Sequence, residues 1–205
     1  MGLEPSYDWD QRAIELWDKT DRDKTTQLTE LVSWRPISPD LLYSATRHRL
    51  AAVRAAAIRN PHFHQIEWAL PLIYDKSVQV RREVALLDGL PPEVKLHLLN
   101  DPDKEVRARI MRDIVPDEDL SVYLLTNSMV EIRRFAYNPL LPEPYWSRIV
   151  EDRSANLRAT VALDPYCPPG VVIQLLRDKD AAVRAAAATS PKVPEHIRRL
   201  ASLAN

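Results

Sequence analysis

One phrase recurs along this chain at an almost fixed interval: Asp or Asn, four residues, an aliphatic residue, then Arg. It is plainest in Asp178-Lys179-Asp180-Ala181-Ala182-Val183-Arg184. The aliphatic anchors are Leu28, Val53, Val80, Val106, Ile132, Leu157 and Val183, separated by 25, 27, 26, 26, 25 and 26 residues. A period that constant means a repeat array, and every repeat must present the same faces to its neighbours. The residue after each anchor is Thr29, Arg54, Arg81, Arg107, Arg133, Arg158 or Arg184, and five residues before it stand Asp23, His48, Asp75, Asp101, Asn127, Asp152 and Asp178.

Four residues beyond the anchor lies a second apolar position: Val32, Ala57, Val84, Ile110, Ala136, Val161 and Ala187. Positions i and i+4 share one helical face, so each repeat opens with a helix whose inner edge is narrow. Proline then stops it, at Pro36, Pro61, Pro139, Pro165 and Pro191, and later at Pro91 and Pro116 in the other two repeats. A second apolar segment follows, often led by proline and an acid, as in Pro92-Glu93-Val94, Pro116-Asp117-Glu118, Pro142-Glu143 and Pro194-Glu195. Proline is tolerated in a first helical turn, and the acid complements the positive helix end.

A unit of about 26 residues cannot bury its apolar stripe alone, whereas stacked units share a core. The expected fold is therefore all-α: an α-solenoid of about seven two-helix repeats. Trp9, Ala13, Leu16 and Trp17 occupy one face of a helix before the first anchor. We assign residues 1–22 to an N-terminal capping segment and 23–205 to the solenoid. Only 3 glycines against 17 prolines agree with short helices rather than glycine-dependent hairpins.

The phrases Leu157-Arg158-Ala159-Thr160-Val161-Ala162-Leu163-Asp164-Pro165 and Val183-Arg184-Ala185-Ala186-Ala187-Ala188-Thr189-Ser190-Pro191, each followed by a Pro-led segment, resemble the leucine-rich repeat variant family. That resemblance implies a superhelix of short paired helices, similar in style to HEAT-like arrays, over roughly residues 23–200. The match is weaker at Val80 and Val106, where the Asn-Pro, Asp-Pro or Ser-Pro step is missing, and Leu28 opens the least typical repeat, with Thr29 in place of Arg. Some members of the family carry an iron–sulfur module with clustered cysteines. Here Cys167 is the only cysteine, so that module is not implied, and neither an intrachain disulfide nor a Cys-rich zinc site can be built.

Arg54, Arg81, Arg107, Arg133, Arg158 and Arg184, with Asp75, Asp101, Asp152 and Asp178, read as a structural ladder. An acid at each loop-to-helix junction is placed to cap its helix and to pair with an Arg of its own or a neighbouring repeat. Arg59, Arg82, Arg109, Arg112 and Arg134 lie outside the ladder and are the candidate binding residues, a basic stripe with Tyr137, Tyr145 and Trp146 nearby in sequence. Such a stripe suits nucleic acid, Arg taking phosphates and aromatics the bases. Glu83, Asp88, Glu105, Asp113 and Glu131 are interleaved with it, which favours a solvated face instead.

The sequence offers no catalytic, metal or cofactor site. His62, His64 and Glu67 lack a further convincing ligand, Cys167 has no histidine close by in sequence, and no phosphate-cradling glycine loop is present. A formal net charge of −1 gives no long-range pull toward polyanions or an anionic membrane. The leading expectation is a non-enzymatic protein-interaction scaffold in the cytoplasm, with no membrane association. The alternative is a HEAT-like nucleic-acid binder, extending to a base-processing enzyme that would use Asp113 beside an exposed Trp146.

Overall fold

The computed structural model describes residues 8–203, and among these every regular element is helical. The chain gathers into two compact units, one ending at Asp113 and the other beginning at Ile114.

In the first unit, α1 (Trp9–Leu16) precedes α2 (Arg22–Trp34), α3 (Pro39–Ala45), α4 (Ala51–Arg59) and α5 (Ile66–Ala69), which runs on as a 3-10 turn through Leu70–Tyr74. Then come α6 (Val78–Val84), α7 (Pro92–Leu99) and α8 (Lys104–Asp113). Successive first helices stack, α2 on α4, α4 on α6 and α6 on α8, while α3 and α7 pack beside α4 and α8. Helix α1 closes the stack by packing on α2 with Ala13 and Leu16 buried. Ile14, which interrupts the apolar stripe in sequence, points outward at 58% exposure.

In the second unit, α9 (Glu118–Leu124), α10 (Val130–Ala136), α11 (Glu143–Trp146), a 3-10 turn at Ser147–Glu151, α12 (Ala155–Ala162), α13 (Pro169–Leu175), α14 (Ala181–Thr189) and α15 (Glu195–Leu203) follow the same plan. Here α12 packs on both α10 and α14, and α13 lies against α12, α14 and the 3-10 turn. The repeat anchored at Val106 is divided, its first helix ending one unit and its second opening the other. The capping helix thus belongs to the first unit, whose stack starts at α1.

All seven anchors and all seven residues four positions later are buried. Burying a Val, Leu or Ile side chain contributes about 1.5–3 kcal/mol, so the periodic positions that hold them carry the core. The prolines end first helices as expected at α2, α4, α10, α12 and α14. Helix α6 stops earlier, at Val84, and the chain reaches Pro91 through a turn containing Gly89, whose φ of 73° is left-handed. Leu200 in α15 is 62% exposed, whereas Val193, just before that helix, is buried.

Candidate functional site: the loop edge of the repeats

Four of the ladder arginines, Arg54, Arg81, Arg133 and Arg158, act as staples between consecutive turns, and Arg184 grips the carbonyls of Asp178 and Lys179. Nε and Nη2 of Arg158 donate to the two carboxylate oxygens of Asp178 at 2.7 and 2.8 Å, while its Nη1 donates to the backbone oxygen of Asp152 at 2.6 Å. Arg133 repeats the pattern, gripping Asp152 with Nε and Nη2 and the carbonyls of Asn127 and Ser128 with Nη1. In the first unit Arg54 joins the carbonyls of His48 and Arg49 to the Asp75 carboxylate, and Arg81 joins the carbonyl of Asp75 to Asp101. The planar guanidinium suits this bidentate grip, for which lysine has no equivalent geometry.

Each ladder carboxylate also accepts the backbone N–H two residues ahead: Ser77, Asp103, Ser154 and Asp180 donate to Asp75, Asp101, Asp152 and Asp178. The acid therefore shapes the turn before the helix, while helix capping itself falls to residues such as Ser154 and Asp180. The Arg158 hydrogen bond holds the Asp178 carboxyl below the usual carboxylate range. Burial pushes Asp75 and Asp152 up, but the hydrogen bonds from Arg54 and Ser77, and from Arg133 and Ser154, outweigh it and leave both lowered.

His48 replaces the acid where the preceding repeat has Thr29 instead of Arg. Its Nδ1 accepts the Leu50 N–H at 3.1 Å, and Nε2, carrying the proton in that tautomer, donates to the Trp17 carbonyl at 3.0 Å. The turn geometry is kept and the staple is redirected onto the cap.

Two arginines of the sequence-derived binding stripe are taken up by acids. Arg59 pairs with Glu83 at 2.6 Å, and Arg82 pairs with both Asp103 and Glu105. The Arg82 hydrogen bond lowers the Asp103 carboxyl to about 2. Arg109 is half-buried, whereas Arg112 and Arg134 are exposed. Of the aromatics expected to accompany them, Tyr137 and Trp146 are core residues, 7% and 2% exposed, and Tyr145 is half-buried; the Trp146 indole N–H donates to the Leu141 carbonyl at 3.0 Å. Burial raises the Tyr137 phenol well above its ordinary range. Trp146 therefore offers no exposed ring to accompany Asp113 in base processing. Cys167 is fully buried and its thiol is pushed up to about 11 by that burial, the opposite of an activated nucleophile. Among the described residues no group of three His, Cys, Asp or Glu side chains is placed to hold a metal ion.

The stapled turns present a different set of cations. On these turns the residue directly after the ladder position is Arg49, Lys76, Pro102, Ser128, Arg153 or Lys179, all exposed, whereas the equivalent Lys24 lies inside α2 and pairs with Asp21. In the second unit the turns at Asn127-Ser128, Asp152-Arg153-Ser154 and Asp178-Lys179-Asp180 are held side by side by Arg133 and Arg158. A cleft of about 630 Å³ opens between the first two turns, lined by Thr126, Ser128, Arg148, Glu151, Arg153 and Ser154, with the Arg133–Asp152 pair in its wall. Among the described residues Arg153, Arg177 and Lys179 make no ion pair, and the Arg148 guanidinium only rests 5.0 Å from the Tyr145 ring centre. Sequence reasoning missed this row, although its signal is simple: a cation follows the ladder position in five of seven repeats.

No family model and no curated protein matches the chain. Among solved structures it is similar to one described as a leucine-rich repeat variant with a novel repetitive protein structural motif, at a TM-score of 0.59 and 23% identity, over 92% of this chain and 78% of that one. No helix among the described residues is long and apolar enough to cross a membrane. The repeat fold expected from the sequence is the fold observed: an all-α solenoid of two-helix repeats, similar to that leucine-rich repeat variant.

Proposed function

We propose that this chain is a non-catalytic binding module that engages another protein through the loop edge of its repeats. One observation carries the reading: exposed cations without acidic partners recur on turns that the buried ladder holds rigidly. Charges on a rigid repeating frame lose little freedom on binding, which favours a partner with complementary spacing. The first-helix stripe, by contrast, spends the charge of Arg59 and Arg82 on internal pairs.

The test compares native copurification by the unaltered chain and by the double variant Arg153→Glu/Lys179→Glu, each with and without nuclease. A protein partner that resists nuclease and is lost from the variant is the expected result. Recovery that depends on nucleic acid, or that is unchanged in the variant, overturns the reading. The variant Arg82→Glu serves as the control on the first-helix stripe.

A further inference from the structure

We infer that the loop edge of the second unit takes an extended acidic peptide whose carboxylates recur every third residue. This rests on the protein-binding reading above and names the chemistry of the partner. Four cations, Arg148, Arg153, Arg177 and Lys179, are exposed along two consecutive turns, and Glu151 is the exposed acid among them. Asp152 and Asp178 on the same turns are occupied by the guanidinium groups of Arg133 and Arg158, so their charge is already answered.

Spacing sets the register. Equivalent residues on consecutive repeats, Arg153 and Lys179, are separated by one helix-to-helix step, because α12 packs directly on α14. Packed helices lie roughly 8–10 Å apart. A polyproline II chain advances about 3.1 Å per residue with three residues per turn, so one turn of about 9 Å spans one step and brings the same face round again. Carboxylates at i and i+3 therefore meet Arg153 and Lys179 in turn. Ser128, the uncharged equivalent on the preceding turn, accommodates a neutral residue across the cleft.

A peptide fits better than a nucleic acid for two reasons visible at the site. Glu151 lies in the cleft wall and would repel an unbroken phosphate backbone, whereas a peptide can carry a neutral or basic residue there. No aromatic ring lines the cleft, so stacking of bases has no platform in it.

Fluorescence anisotropy tests the inference on the full chain. The probe is a labelled Gly/Ser peptide of about twelve residues with Glu at every third position. Comparators are a peptide of the same composition with its glutamates consecutive, and a labelled oligothymidylate. The spaced peptide is expected to bind several-fold tighter than the clustered one, and Arg153→Glu/Lys179→Glu to weaken it about tenfold at low salt. Both side chains are exposed, and an unchanged thermal melt by circular dichroism verifies that the variant is folded.

Equal binding of the two peptides overturns the register. Tighter binding of oligothymidylate overturns the peptide class, and an unaffected variant overturns the site. Nuclease-resistant capture that needs Arg153 and Lys179, with no binding of the spaced peptide, sinks this inference while leaving the protein-binding reading intact. Binding of the spaced peptide without such capture does the reverse.

Discussion

Arg158 and Asp178 are the most enclosed pair of the ladder, their side chains 1% and 3% exposed. Removing one partner of such a pair strands a buried charge, so Arg158→Ala is expected to cost about 3–5 kcal/mol, read from the urea midpoint. Arg158→Met/Asp178→Leu should recover part of that loss. Recovery stays incomplete because the Asp152 carbonyl and the Asp180 N–H both lose hydrogen-bond partners. Acid should unfasten the same staples. Asp75, Asp152 and Asp178 have lowered values in the folded chain, so their contribution is present above the ordinary carboxylate range and is lost as pH falls through the depressed values. Melting temperature should therefore drop steeply on acidification below about pH 4, and a Cys167→Ala variant should show the same acid limb. A melting temperature that holds flat from pH 5 to about pH 2 contradicts this account.

At the scale of helices and turns, two glycines with opposite backbones give a paired test. Gly89 has φ of 73°, and a Cβ there would meet Ile66 Cδ1 at 3.3 Å, so Gly89→Ala is expected to destabilise by about 1–2 kcal/mol. Gly170 lies in α13, where a Cβ would have nothing within 4 Å, so Gly170→Ala should stabilise by about 0.5–1 kcal/mol. Chemical denaturation of both variants decides whether backbone conformation governs these positions. The elements also mark where sequence reading succeeded and failed. Anchors and their i+4 partners were legible because one spacing serves every repeat, and any residue on that face must be buried. Trp146 and Tyr137 were misplaced because aromatic type alone does not separate core from surface. The indole hydrogen bond to Leu141 shows how a polar tip is satisfied inside. The α6 repeat departs from the proline rule: its first helix ends at Val84 with Ala85 still right-handed, and the left-handed turn at Gly89 follows before Pro91.

For the molecule as a whole, the division after Asp113 falls inside the repeat anchored at Val106, which the period alone could not reveal. The ladder was legible as a pattern of Asp and Arg, but its direction was not. Only the structure shows that a guanidinium bonds the carbonyls of its own repeat and the carboxylate of the next. The binding row stayed hidden for a related reason, since a charged residue beside a ladder acid looks like one more member of a mixed surface. With a net charge of −1, long-range attraction should contribute little to encounter with an acidic partner. Stopped-flow association with the acidic peptide is expected to be only weakly faster at low salt, with Arg153→Glu/Lys179→Glu acting mainly on dissociation. A steep salt dependence of the association rate would count against that picture.

The staple has one further consequence, for length. Arg133 and Arg158 each hand their grip forward to an Asp that belongs to the next repeat, so these junctions have a hook on one side and an eye on the other. A spliced copy of residues 153–178, placed after Asp178, would bring its own eye and offer its own hook. The array is in this sense a tape that can be lengthened by whole links, and the reach of its loop edge grows with each link while no existing junction has to be redesigned.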